Sequence, residues 1–143
     1  MSKTILITGA SSGIGRATAR HFQAAGWNVV ATMRTPADEQ ELTTLDNVLV
    51  TELDVVAPHT IESAVAAGIE RFGAIDVLLN NAGYGAYGLL EATSVDKIRR
   101  QFDVNVIGLL ETTKAVLPHF RERRSGVIIN ISSIGGKMAF PLG

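Results

Sequence analysis

The chain has 143 residues, 46% of them apolar and 19% charged, with a net charge of −1. This is a globular composition long enough for one domain with a sizeable core, which excludes a disordered polymer. No basic run exceeds RERR, so the charge footprint of a nucleic-acid or anionic-membrane partner is missing, and no cysteine is available for a disulfide, a thiol nucleophile or a Cys-based metal site.

His21, His59 and His119 share no ligand spacing, so no metal site is expected. MSK followed by TILIT has neither the length nor the apolar region of a secretory leader. No apolar run approaches the roughly 18 residues of a membrane span. A cytoplasmic protein with no membrane span is the expectation.

The first apolar run, TILIT (4–8), leads into TGASSGIG (8–15) and then a helical pattern, RATARHFQAAG. Further apolar runs lie at 28–32, 48–53, 76–80 and 127–131. They are continuous and rich in Val, Ile and Leu, as strands buried on both faces of a parallel sheet are. Helices are expected between them. After Pro36, Asp38 and Glu39 read as the start of one. From 60 to 72, Ile61, Ala64, Val65, Gly68, Ile69 and Phe72 form one apolar stripe. A longer helix is expected from 94 to about 122, with Ser94 or Thr93 as its cap and Pro118 kinking its last turns. The alternation predicts an α/β fold over 1–143. It is a doubly wound, Rossmann-type parallel sheet with strand order 3-2-1-4-5 and helices on both faces.

Gly9, Gly13 and Gly15 fall where the first strand passes into the first helix. Glycines there permit a tight turn, close approach of a pyrophosphate to the main chain, and close packing of helix on strand. The helix start offers free N–H groups and a positive dipole end, and Ser11 and Ser12 add hydroxyl donors. The spacing is G-x-x-x-G-x-G, and its place between strand and helix of a βαβ unit gives it meaning as a dinucleotide site. Arg34 follows the second strand, where an acidic residue would accept a ribose 2′-OH. A guanidinium there suits a 2′-phosphate instead, so NADP (NADPH) is the preferred cofactor and NAD the alternative.

Asp54 ends the third strand, NNAG (80–83) the fourth and SSIGG (132–136) the fifth. In a parallel sheet these ends share one rim, the carboxyl edge where such sheets bind ligands. Asn105 lies on one helical face with Ile98, Phe102 and Leu109. An unpaired buried amide costs about 1–3 kcal/mol, so Asn105 needs partners. They are either backbone groups in a structural role, or a water or backbone kink near a reaction centre.

Together these segments resemble the short-chain dehydrogenase/reductase family. TGASSGIG (8–15), LDV (53–55), NNAG (80–83), NVIG (105–108) and NISS (130–133) occur in family order along the chain. The resemblance implies hydride transfer between NAD(P) and an alcohol or carbonyl. It implies a phosphate-binding turn of Gly9, Ser11, Gly13, Ile14 and Gly15. It assigns the adenine amino group to Asp54, with Val55 nearby, and the adenosine ribose to Asn81, Ala82 and Gly83. Asn105 would order a water in the proton relay. Ser133, which directly precedes the small-residue turn IGG, would hydrogen-bond the substrate oxygen in preference to Ser132. ATMRT and SIGGKMAFPLG look like the branch acting on steroids, retinoids and related lipophilic alcohols. A small lipophilic carbonyl or alcohol substrate and a homo-oligomer are therefore expected.

The family's proton donor is the tyrosine of a Tyr-x-x-x-Lys pair, expected just past Gly143. Within the chain, Tyr84 is followed four positions on by Gly88 and Tyr87 by Glu91. The chain therefore reads as the amino-terminal part of such an enzyme, truncated after the fifth strand, binding cofactor with little or no turnover. A non-catalytic dinucleotide-binding module or sensor is the rival reading, and isomerase or dehydratase chemistry a third.

Overall fold

A computed structural model describes residues 2–141. The strands are β1 (Thr4–Ile7), β2 (Asn28–Met33), β3 (Val48–Glu52), β4 (Val77–Asn80) and β5 (Val127–Asn130). All neighbouring pairs are parallel, in the expected order β3-β2-β1-β4-β5. The helices are α1 (Gly13–Ala24), α2 (Pro58–Phe72), α3 (Val95–Phe102) and α4 (Gly108–Arg123).

Alternate strand residues face opposite ways, and the sheet has a core on each side. Ile5, Ile7, Val29 and Ala31 pack with Ala19 of α1, Phe22, Trp27 and Leu42. Leu6, Val30 and Leu78 pack with Ile61, Ala64 and Val65 of α2 and Val116 and Phe120 of α4. That accounts for the unbroken apolar runs of β1 and β2, where each buried Leu, Ile or Val contributes about 1.5–3 kcal/mol. The α2 stripe is buried as its spacing predicts, at Ile61, Ala64, Val65 and Gly68.

Three expectations are corrected. No α-helix joins β2 to β3; two three-residue 3-10 turns do, Pro36–Asp38 and Leu42–Thr44. Oε1 of Glu39 accepts the N–H groups of Glu41 and Leu42, and a side chain that takes such amides competes with helix formation.

The helix expected from 94 to about 122 is present, helical from Val95 to Arg123, but it is not uniformly α and its first apolar stripe is not buried. One turn of π-helix, Asp103–Ile107, separates α3 from α4, and α4 carries Pro118 within it and runs on to Arg123. The α3 stripe buries nothing, and Phe102 is 60% exposed, because no described element covers that face.

The apolar run of β5 is not buried on both faces. Val127, Ile128 and Ile129 are all exposed, since β5 is an edge strand with only α4 nearby.

Candidate functional site

All five strands point the same way, so the segments following them share one rim. The strand order reverses between β1 and β4, which opens a crevice at their tips. The glycine turn lies over this crevice. Gly9 and Gly13 take positive φ, +69° and +52°, which L side chains rarely adopt. A Cβ on Gly15 would lie 2.2 Å from the carbonyl oxygen of Gly9 and 2.6 Å from Nδ2 of Asn81. Only a bare Cα lets α1 begin so close to the end of β1.

Asn81 fastens the turn from β4. Its Nδ2 donates to the carbonyls of Thr8 (3.0 Å) and Gly9 (3.1 Å). The Thr8 hydroxyl accepts the N–H groups of Asn81 and Ala82, both at 3.0 Å. Ala10 N–H donates to the Thr32 carbonyl at 2.8 Å, tying the turn to β2 as well. The turn is thus tied to both β4 and β2 by directional bonds.

Ser12 caps α1 without committing its hydroxyl to the helix, and no acidic residue stands in the first turn. Ser11, Ser12, Gly13 and Ile14 are exposed. The first amides of α1 have no intrahelical acceptor. Free amides, uncommitted hydroxyls and a positive dipole end fit a diphosphate.

The remaining candidates take separate places on the rim. Arg34 follows β2 directly, is exposed, and forms no ion pair among the described residues. Asp54 follows β3, and its Oδ1 accepts Val56 N–H at 3.2 Å. Val55 is buried against Gly108, where a Cβ would lie 2.6 Å from that of Val55. Gly83 abuts Asn105, whose Oδ1 would be 3.1 Å from a Cβ there.

Asn105 sits within the π-turn. Its Nδ2 donates to the Tyr84 carbonyl at 2.7 Å, and its Oδ1 accepts Tyr84 N–H at 3.0 Å. Both ends of the amide are committed to backbone, and the π-turn that contains it is the kind of irregularity that often marks a functional site. Ser133 follows β5, is exposed, and accepts Gly135 N–H at 3.0 Å. No hydrogen bond joins Ser133 to Asn105 among the described residues.

Two features escaped the sequence reading. One is the Thr8 hydroxyl. The other is an ion pair between Arg16, at the start of α1, and Glu39 in the β2–β3 connection. The Glu39 side chain is 1% exposed and that of Arg16 36%. Burial pushes the Glu39 carboxyl up, but the Leu42 N–H, the Arg16 guanidinium and the Glu41 N–H outweigh it and hold it below the usual range.

Asp76, at the start of β4, is similar. Burial raises it, but the Thr4 N–H and Arg123 hold it low. Stability from such carboxylates is complete above their ordinary value of about 4 and is lost as pH falls through the lower folded-state values. Between about pH 5 and 2, Asp76→Asn should therefore lose less stability than the unaltered chain. Parallel curves in urea unfolding would refute this.

A doubly wound parallel sheet with a glycine turn, free helix amides and polar strand tips on one rim is a Rossmann-type architecture. The family model described as short chain dehydrogenase matches residues 3–143, and the chain belongs to that family. It is 53% identical over 111 residues to an uncharacterised oxidoreductase of Schizosaccharomyces pombe, covering 78% of this chain and 47% of that one. It is 42% identical over 137 residues to a 3-ketodihydrosphingosine reductase of Bacteroides thetaiotaomicron, covering 96% and 49%. The solved structure of ElxO with NADP bound superposes with a TM-score of 0.91 at 32% identity, covering 99% of this chain and 60% of that one. The chain thus spans about half the length of the curated relatives it matches. Among the described residues, no cluster of His, Cys, Asp or Glu could hold a metal ion, and no helix is long and apolar enough to cross a membrane.

Proposed function

We propose that the chain is the NADP-binding portion of an oxidoreductase that moves hydride between NADPH and a carbonyl or alcohol. The observation that carries the reading is the exposed Arg34, without an ion-pair partner among the described residues, on the same rim as the open amides of α1. A guanidinium there can pair a 2′-phosphate in bidentate fashion, whereas a 2′-OH gains little from it. The NADP in ElxO, a protein of the same fold and 32% identity, supports the same choice.

In this reading Gly9, Ser11, Ser12, Gly13, Ile14 and Gly15 hold the diphosphate. Asp54 and Val55 bound the adenine, and Asn81, Ala82 and Gly83 the adenosine ribose. The bound nicotinamide supplies the hydride. Ser133 orients the substrate oxygen, and Asn105 shapes the backbone at Tyr84 beside it. Ile134, Met138 and Phe140 are exposed and apolar next to Ser133, in keeping with a lipophilic substrate. Leu142 and Gly143, which belong to the segment resembling the lipophilic-alcohol branch, lie outside the described residues. The exposed apolar side chains of β5 and α4 support self-association.

Replacing Arg34 by Asp is expected to weaken NADPH binding ten- to a hundred-fold, on the order of one lost charge-assisted contact, and to leave NADH binding near its starting value. Fluorescence titration with both nucleotides measures this. An unchanged ratio would remove Arg34 from the site.

A second reading, a binding module without turnover, is favoured by one observation: both ends of the Asn105 amide are committed to the Tyr84 backbone, and no hydrogen bond joins it to Ser133 among the described residues. Ser133 and Asn105 can position a substrate but do not readily transfer its proton, and an acid–base group contributes about 10²–10⁴-fold. NADPH oxidation with ketones and aldehydes separates the two. Turnover only in a form extended to the relatives' length supports the enzyme reading, and binding without turnover in both forms supports the module.

A further inference from the structure

The β2–β3 connection presents a problem of registry. It carries Arg34 at its start, yet its only regular structure is two three-residue turns. Such turns do not hold their own shape in water. Several contacts fix the segment to the rest of the protein; those of Gln23 with the Asp46 carbonyl and of Arg20 with Glu41 are exposed, and exposed ion pairs are worth little. Leu42 is fully buried beneath the sheet, but apolar burial is non-directional and tolerates a shift along the chain. Glu39 supplies the one of these directional contacts whose carboxylate is buried. One carboxylate oxygen meets Arg16, and the other takes the N–H groups of Glu41 and Leu42, each at 2.9 Å.

Energetics favour a positional role over a stabilising one. An ion pair with one buried partner, as Glu39 is here, loses in desolvation much of what it gains in attraction, and a packed apolar pair often stabilises as well or better. What the ion pair does supply is a fixed place. Arg16 directly follows Gly15, so its Cα is set by the same close packing that sets the glycine turn. From Glu39 back to Arg34 the path is short and hydrogen-bonded, with Asp38 N–H on the Thr35 carbonyl and Glu39 N–H on that of Pro36.

We propose that Glu39 is a positioning residue for cofactor choice: through Arg16 it clamps the β2–β3 connection, and Arg34 with it, at a fixed distance from the phosphate-binding start of α1. The clamp rests on the reading of Arg34 as the 2′-phosphate partner. It makes a prediction that charge alone does not. Removing the Glu39 charge frees the Arg16 cation beside the diphosphate site. If Glu39 only neutralised Arg16, its loss would strengthen both nucleotides. If it positions Arg34, NADPH alone is weakened.

The test uses Glu39→Gln, which keeps an acceptor for the two amides and loses the partner of Arg16. Dissociation constants for NADPH and NADH are measured on the unaltered and altered chains, together with the rate of trypsin cleavage after Arg34. The expected result is NADPH affinity about tenfold lower, NADH affinity within about twofold, and faster cleavage. Equal weakening of both nucleotides, strengthening of both, or an unmoved ratio in a folded Glu39→Gln chain overturns the clamp. Should that variant not fold, Arg16→Gln breaks the same contact from the helix side and is judged by the same ratio. An unaltered chain with no NADPH preference removes the reading of Arg34 and the clamp together. A preference that Glu39→Gln leaves untouched removes the clamp alone.

Discussion

Gly15→Ala is expected to abolish nucleotide binding and to cost about 1–3 kcal/mol or more of stability, the range for overpacking a filled site. The added methyl meets the Gly9 carbonyl oxygen at 2.2 Å and the Asn81 side-chain amide at 2.6 Å; the first is backbone, and the second is held by the Thr8 and Gly9 carbonyls. Relief requires α1 to move off the end of β1 or Asn81 to release Gly9. Either displaces the amides that face the diphosphate. Gly26→Ala is the control. Gly26 lies past the far end of α1 with φ +82° and nothing near its Cβ, so it carries only the cost of a left-handed backbone, about 1–2 kcal/mol. Urea unfolding and NADPH titration on both variants should show Gly26→Ala less stable yet binding normally. A Gly15→Ala chain that binds like the unaltered protein would show that this turn does not hold the nucleotide.

Thr8→Val should have the second largest effect. The hydroxyl of Thr8 accepts two backbone amides, those of Asn81 and Ala82, and lies within 3.5 Å of the Leu79 carbonyl as a donor. Valine fills the same space and offers no acceptor. Two partly buried N–H groups then go unpaired, for a loss of about 2–4 kcal/mol. The tip of β4 also loosens beside the glycine turn, so nucleotide affinity should fall together with stability. Thr8→Ser, which restores the acceptor, should recover most of both. Thermal unfolding and nucleotide titration of the three chains test this. If Thr8→Val melts and binds like the parent, the hydroxyl is not what joins the β1 and β4 tips.

The contacts of Thr8 and of Glu39, unlike the glycine turn, are ones that no local pattern reveals. Thr8 and Asn81 are 73 positions apart, and Arg16 and Glu39 are 23 apart. In the sequence, Thr8 is the end of an apolar run and Glu39 an acid after a proline, fit to open a helix. Their roles exist only because β1 and β4 become neighbours and because the β2–β3 connection folds back on α1. The rim itself was legible. Parallel order follows from alternating strand and helix patterns, and parallel order alone brings the ends of all five strands to one side.

The sequence by itself determined the runs of β1 and β2, the α2 stripe, the strand order and the family. These depend on spacings of two and of three to four residues and on glycines at a single turn, all properties of neighbours along the chain. Tertiary structure decided the rest. It left β5 exposed at the sheet edge, bulged the long helix at the π-turn where Asn105 binds Tyr84, and turned Glu39 inward to Arg16. The physical reason is the same in each case. Burial and hydrogen-bond partners depend on what lies across space, and an apolar run or a carboxylate reads alike whether or not a partner arrives to meet it.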